Sequence, residues 1–123
     1  MLDTNEIATI VTRQTIIEAV EDASQKRGVE MLPKKCFSTS SQSVMRFEGT
    51  DGSNDFGITV RVTRKEDTLS WYILMDTTSG VRQYQPGAGT MNDLKAAVTD
   101  ATALTLAQPW EWDLMDGYMY TAG

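Results

Sequence analysis

The stretch FGITVRVT, residues 56–63, decides the fold of this chain. Apolar side chains at Ile58 and Val60 alternate there with the polar side chains of Thr59 and Arg61. Such alternation is typical of a β-strand that buries one face and exposes the other, and β-branched residues favour strands. The stretch therefore predicts a strand with its aliphatic side chains on a core face and Arg61 on the opposite face.

Neighbouring segments repeat this alternation and are separated by short turn-forming clusters. The predicted strands are Ser43–Glu48, residues 56–63, Leu69–Met75 and Val81–Gln85. Short links between successive strands favour antiparallel pairing, so we expect a four-stranded meander sheet over about residues 37–85. Pro33 and the pair Lys34-Lys35 predict a connector before the sheet, and the Pro-Gly-Ala-Gly run at 86–89 predicts its end.

Helical spacing of apolar residues occurs on both sides of the predicted sheet. A first helix is predicted over residues 3–27, and Gly28 follows it as a residue type that commonly ends helices. Its expected buried stripe comprises Ile7, Ile10, Val11, Ile17, Val20 and Ala23. A second helix is predicted over residues 90–107, where Thr90 is a favourable N-cap with Asp93 three residues later.

These elements predict one α+β domain over residues 1–123. An antiparallel sheet needs only one apolar face covered, and two amphipathic helices can cover it. We therefore expect both helices to pack on one sheet face, which leaves the opposite face open to solvent or to a partner. Residues 108–123 form a tail that is rich in aromatic and acidic residues.

The residue types limit the chemistry that this chain can perform. It contains no histidine and a single cysteine, Cys36, so it cannot build a Ser–His or Cys–His pair, an internal disulfide or a His/Cys zinc site. We predict a protein that is not an enzyme, without catalytic, cofactor-binding or metal-binding residues.

No apolar run approaches the roughly 20 residues that cross a bilayer, and no secretory signal pattern opens the chain. The expected location is the cytoplasm, of a bacterium or of a host cell if a phage encodes the chain.

The net charge of −6 is unevenly distributed. Residues 1–30 and 90–123 together carry eleven acids and four bases, whereas residues 31–89 carry six acids and seven bases. If the strand registers fall in step, the face opposite the helices collects Arg46, Arg61, Tyr72, Arg82 and Tyr84. Arginine and tyrosine are enriched in protein interfaces and in platforms that bind single-stranded nucleic acid.

The C-terminal tail is a second candidate binding surface. Its residues Glu111, Trp112, Asp113 and Asp116 could dock as an acidic and aromatic segment on a basic partner. A structural interpretation is also open, because tryptophan is highly buried on average and the indole rings could close the core.

Two functional hypotheses follow from these patterns. The first is a small acidic protein-binding module, such as an inhibitor, immunity protein, chaperone or adaptor of bacterial or phage origin. The alternative is a nucleic-acid-binding domain that uses the open sheet face, and the acidic balance disfavours it because phosphate neutralisation dominates nucleic-acid affinity. A homodimer is a further interpretation, in which the open face or an edge strand at Ser43–Glu48 pairs with a second copy. No membrane partner is expected.

Overall fold

The computed structural model describes residues 4–107 and 119–121. The elements in chain order are α1 (Thr4–Arg27), β1 (Leu32–Ser38), β2 (Gln42–Thr50), β3 (Asp55–Lys65), β4 (Thr68–Thr77), β5 (Gly80–Gly89), α2 (Met91–Thr105) and β6 (Met119–Thr121). Neighbouring strands are antiparallel and follow the order β1 to β6 without a crossover. The predicted α+β class is confirmed, but the sheet has five consecutive strands where four were predicted, and the short β6 extends its far edge.

One face of the sheet is buried beneath the helices. Alternate residues of β2, β3 and β4 point to this covered face, and Phe47, Ile58 and Ile73 are among the fully buried side chains. α2 lies on β3, β4 and β5 and adds Leu94 and Val98 to the same core, whereas α1 packs along α2 and reaches β2. The prediction that both helices pack on one sheet face is therefore confirmed. Removal of these apolar side chains from water is the main favourable contribution to folding.

α2 begins at the predicted cap. Thr90 Oγ1 accepts a hydrogen bond from the backbone N–H of Asp93, and the Asp93 carboxylate accepts one from the backbone N–H of Thr90. This reciprocal capping box satisfies donors that have no partner within the helix. The helix ends at Thr105, two residues before the predicted end at position 107.

The buried stripe of α1 includes Val20 and Ala23, as predicted, but it differs from the prediction in the first turns. Ile7, Ile10 and Val11 are 50%, 51% and 44% exposed, so the prediction that they are buried is wrong. The buried side chains of α1 are Thr12, Ile16, Ala19, Val20, Ala23 and Ser24. At 100° per residue the three exposed residues lie on the side opposite the core, so helical spacing selected the wrong face in the first turns.

Neither α1 nor α2 combines the length and apolar character that crossing a bilayer requires.

β1 occupies the segment predicted as a connector, and that prediction is wrong. The strand pairs with β2, although the register shifts between Pro33 and Lys35. Almost every side chain of β1 is exposed, so the segment lacks the alternation by which a half-buried strand is recognised in a sequence. β1 lies at the end of the strand order, which places Ser43–Glu48 inside the sheet, contrary to the predicted edge.

β5 continues through the residues that were predicted to end the sheet. It pairs with β4 as far as Gly89, with a register shift between Trp71 and Ile73. Gly87 lies against the indole ring of Trp71, and a Cβ at this position would stand 2.7 Å from the indole Nε1. The run at 86–89 therefore forms an irregular strand that leaves space for the tryptophan ring.

Candidate functional site: the open sheet face

We define the open face as the sheet surface opposite the helices. Residues that pair across antiparallel strands share a face, so the register arranges this surface in rows. One row contains Phe37, Val44, Arg61 and Tyr72, and the next contains Lys35, Arg46, Thr59, Leu74 and Gln83. Three of the predicted residues, Arg46, Arg61 and Tyr72, are thus brought together on one surface. Their role in binding stays a prediction.

Arg46 is the centre of a hydrogen-bond network on the open face. Its Nη1 and Nη2 donate to Asp76 Oδ1 and Oδ2 at 2.8 Å and 3.0 Å. Its Nε donates to Glu48 Oε2 at 2.8 Å, and Nη1 also donates to Thr59 Oγ1 at 3.1 Å. The bidentate pair with Asp76 fixes the plane of the guanidinium group and is stronger than a single charged contact.

These contacts leave Arg46 little capacity to bind an external anion. The hydrogen bonds to Asp76 raise the pKa of Arg46 above its ordinary value, against an opposing effect of burial, and Glu48 raises it further. The side chains of Arg46 and Asp76 are 28% and 31% exposed, so water screens the pair only in part. Because two carboxylates surround one guanidinium group, this part of the open face does not attract phosphate.

Gly57 makes room for the Arg46 network. It pairs with Glu48 on one side and with Asp76 on the other, so it lies between the two carboxylates. A Cβ at position 57 would stand 2.5 Å from Arg46 Nη2 and 2.5 Å from Asp76 Oδ2, which is too close for either contact. Position 57 therefore has no room for a side chain. Glycine often occurs within strands where other groups approach the backbone closely.

The neighbouring row presents a different chemistry. The guanidinium carbon of Arg61 lies 5.0 Å from the centre of the Tyr72 ring, within the range of a cation–π interaction. The row continues through Val44 to Phe37, which is 62% exposed on the edge strand. A stacked Arg–Tyr pair is thus flanked by an aliphatic and an aromatic side chain. Aromatic residues and arginine are the residue types that protein interfaces enrich.

Arg82 and Tyr84 lie on the covered face, so their predicted place on the open face is wrong. The register pairs Arg82 with Met75 and Tyr84 with Ile73, both of which point to the helices. Tyr84 Oη donates to Asp100 Oδ2 of α2 at 2.6 Å. The turn between β4 and β5 sets this register, because Thr77 pairs with Gly80 and the ladder then runs without a shift as far as Tyr84.

The predicted tail residues Glu111, Trp112, Asp113 and Asp116 lie outside the described residues. Their docking on a basic partner stays a prediction. β6, which follows them in the chain, pairs with β5 so that Tyr120 stands opposite Gln83.

Sequence patterns did not single out Glu48, Gly57 and Asp76, although these residues complete the Arg46 network. Glu48 follows Arg46 by two positions, the spacing that places two side chains on one face of a strand. That spacing could have identified the Arg46–Glu48 contact. Asp76 is distant in the sequence and reaches Arg46 only through the combined registers of β2, β3 and β4, which the sequence does not supply.

A shallow depression of about 720 Å³ borders the network near the start of β1. Its lining includes Glu30, Leu32, Lys34 and Asp55 in addition to the network residues. Within residues 4–107 and 119–121, no group of three histidine, cysteine, aspartate or glutamate side chains is arranged to hold a metal ion. The residues that line this depression can form hydrogen bonds and ion pairs.

No protein-family model matches this chain, and neither a curated protein nor a solved structure does. A fold class does not by itself imply a function. The functional argument therefore depends on the geometry and chemistry of the described surfaces.

Proposed function

We propose that this chain is a small, non-catalytic protein-binding module, of the kind represented by inhibitors, immunity proteins, chaperones and adaptors, and that it binds its partner with the open face. The observation that carries the proposal is the row of Phe37, Val44, Arg61 and Tyr72 on a sheet surface that neither helix covers. Aromatic and arginine side chains anchor protein interfaces because they contribute large contact areas and directed polar contacts.

Charge separates this proposal from nucleic-acid binding. A chain with a net charge of −6 repels a polyphosphate, and the ion pairs of Arg46 with Glu48 and Asp76 remove one cation from the set available to phosphates. The stacked pair of Arg61 and Tyr72 is the feature that supports the alternative, since such pairs also stack on unpaired bases.

The proposal is tested by capture of a partner on immobilised protein from a lysate of the source cells. The variant Arg61→Glu changes the charge of the open face, and Lys26→Glu makes the same charge change on α1. We expect mass spectrometry to identify a protein that the wild type and Lys26→Glu retain and that Arg61→Glu loses. Equal retention of every captured protein by the two variants would contradict use of the open face.

The nucleic-acid alternative is tested with a fluorescently labelled oligothymidine at low salt. We expect no change in fluorescence anisotropy up to high micromolar protein. Binding that Arg61→Glu abolishes and Lys26→Glu preserves would overturn the proposal in favour of the single-stranded nucleic-acid platform.

A further inference from the structure

We infer that β1 accepts an extended acidic segment of another protein, which adds to the edge of the sheet as a further strand. The inference rests on the proposed function as a protein-binding module, and it adds the outer backbone edge of β1 to the open face, with which this edge shares Lys35 and Phe37.

The backbone of β1 offers hydrogen-bonding groups at this edge. The backbone N–H of Thr39 donates to the carbonyl of Gln42 and closes the β1–β2 hairpin. Backbone groups alternate in direction along an antiparallel ladder, so those of Phe37 point to β2 and those of Cys36 and Ser38 point away from it. Because β1 is the end strand of the sheet, the N–H and C=O groups of Cys36 and Ser38 face outward. These are the groups that an added strand pairs with.

The side chains of β1 define which strand fits. Phe37 is 62% exposed, and Lys34 and Lys35 are exposed beside it. Lys35 and Phe37 are two residues apart and share the open face. An incoming strand therefore meets a cationic position and an aromatic position on the same side. The matching segment carries an acidic residue and an apolar residue two positions apart, because cross-strand neighbours interact in pairs.

Charge decides between a foreign strand and a second copy. β1 carries two lysines and no acid. A symmetric β1–β1 pair through the outward groups of Cys36 and Ser38 would place Lys35 opposite Thr39 of the other copy, so it would offer neither lysine a carboxylate. An acidic strand instead places opposite charges side by side, which favours association and selects the partner.

The remaining features of β1 sharpen this selectivity. Pro33 and the register shift before Lys35 keep a long ladder from forming at the start of the strand. Lysine and proline on an edge also discourage pairing between identical sheets. The regular edge is thus confined to residues 36–38, next to the lysines, where an acidic strand is accepted and a basic strand is repelled.

The test uses the full chain labelled with nitrogen-15 and a synthetic peptide, acetyl-Thr-Val-Thr-Glu-Thr-amide, in an NMR titration at low salt. We expect the amide signals of Cys36 and Ser38 to shift on binding. Replacement of the peptide's Glu by Lys should weaken binding at least about fivefold, as expected for one exchanged charge pair close to a lysine in water. Methylation of the peptide's backbone nitrogens should weaken binding further, because it removes ladder donors.

Matched variants locate the contact. We expect Lys35→Gln and Phe37→Ala to weaken peptide binding and Lys26→Gln, which removes a lysine from α1, to leave it unchanged. Equal affinity for the acidic and basic peptides, or shifts that avoid Cys36 and Ser38, would overturn the inference. Shifts at these two amides that depend on protein concentration without peptide would overturn it in favour of a second copy. Arg61→Glu tests only the open face, so loss of partner capture by that variant with unchanged peptide binding separates the two surfaces.

Discussion

The two faces of β3 differ in burial and in the kinds of contact that their side chains make. On the covered face Ile58 and Val60 are fully buried beneath the helices. On the open face Thr59 accepts a hydrogen bond from Arg46, and Arg61 lies over the ring of Tyr72. The side chains of the covered face are held by close packing and the exclusion of water. Those of the open face are held by hydrogen bonds and ring contacts between particular atoms. The comparison teaches that one sheet can separate the side chains that form its core from those that make specific polar and aromatic contacts on its surface.

The largest expected effect lies on the covered face. Phe47→Ala removes a side chain that is 1% exposed, so we expect a loss of about 3–5 kcal/mol in the free energy of unfolding. Urea denaturation followed by circular dichroism measures this loss. The control Val44→Ala, on the open face of the same strand, should lose much less. Equal losses for the two variants would remove the distinction between the faces.

The next effect lies on the open face, at Gly57, where packing is tight. Gly57→Ala places a Cβ against Arg46 and Asp76, and we expect a loss of about 1–3 kcal/mol in unfolding free energy. The same substitution in an Arg46→Ala, Asp76→Ala background should cost much less, because the groups that it displaces are gone. A cost that is identical in both backgrounds would show that Gly57 serves something other than this network.

The sequence predicted the covered face of β2, β3 and β4 because burial imposes alternation on a strand. It did not predict β1, since a strand with both faces exposed carries no alternation, and Pro33 with two lysines resembles a connector. It also misplaced Arg82 and Tyr84, because their orientation depends on the pairing of Thr77 with Gly80 at the turn between β4 and β5. Of the open-face site, Arg46, Arg61 and Tyr72 could be placed together, whereas Asp76 and Gly57 could not, because their roles arise from pairing across three strands.

α1 shows the same limit for helices. Apolar residues occur on two sides of its first turns, so periodicity cannot tell which side meets the core. The buried stripe that begins at Thr12 is defined by where α2 and β2 lie, and Ile7, Ile10 and Val11 fall outside it. By contrast, the start of α2 was predictable, because the Thr90–Asp93 capping box is local in the sequence.

A smaller effect concerns the helix that covers the sheet and depends on pH. Hydrogen bonds from Thr90 lower the pKa of Asp93 below its ordinary value of 3.8. The ionised carboxylate is therefore favoured in the folded state, and its contribution is complete above the ordinary pKa and is lost as pH falls through the lowered one. We expect Asp93→Ala to lower the Tm near neutral pH and to differ less from the wild type below about pH 3.

The control for this prediction is Asp22→Ala, which removes an exposed acid from α1. Its Tm difference from the wild type near neutral pH should stay small. Thermal scans at several pH values between neutral and strongly acidic measure both variants. A difference for Asp93→Ala that grows as the pH falls would contradict the stated linkage.

The smallest expected effect on stability comes from the stacked pair on the open face. Tyr72→Leu keeps an apolar side chain and removes the ring under Arg61, so we expect a loss of about 0.5–1 kcal/mol. The double variant Tyr72→Leu, Arg61→Ala should lose little more than the single variant, because the two groups act together. Urea denaturation measures both. A loss similar to that of Phe47→Ala would mean that Tyr72 is part of the core.

The most direct test of the central claim is photo-crosslinking from the two sides of the molecule. A benzophenone amino acid at Ser70, an exposed position on the open face beside Tyr72, is compared with the same residue at Gln25, an exposed position on α1. After irradiation in a lysate of the source cells, we expect one protein to be crosslinked from position 70 and not from position 25. A partner crosslinked from position 25 alone, or equally from both positions, would contradict recognition through the open face.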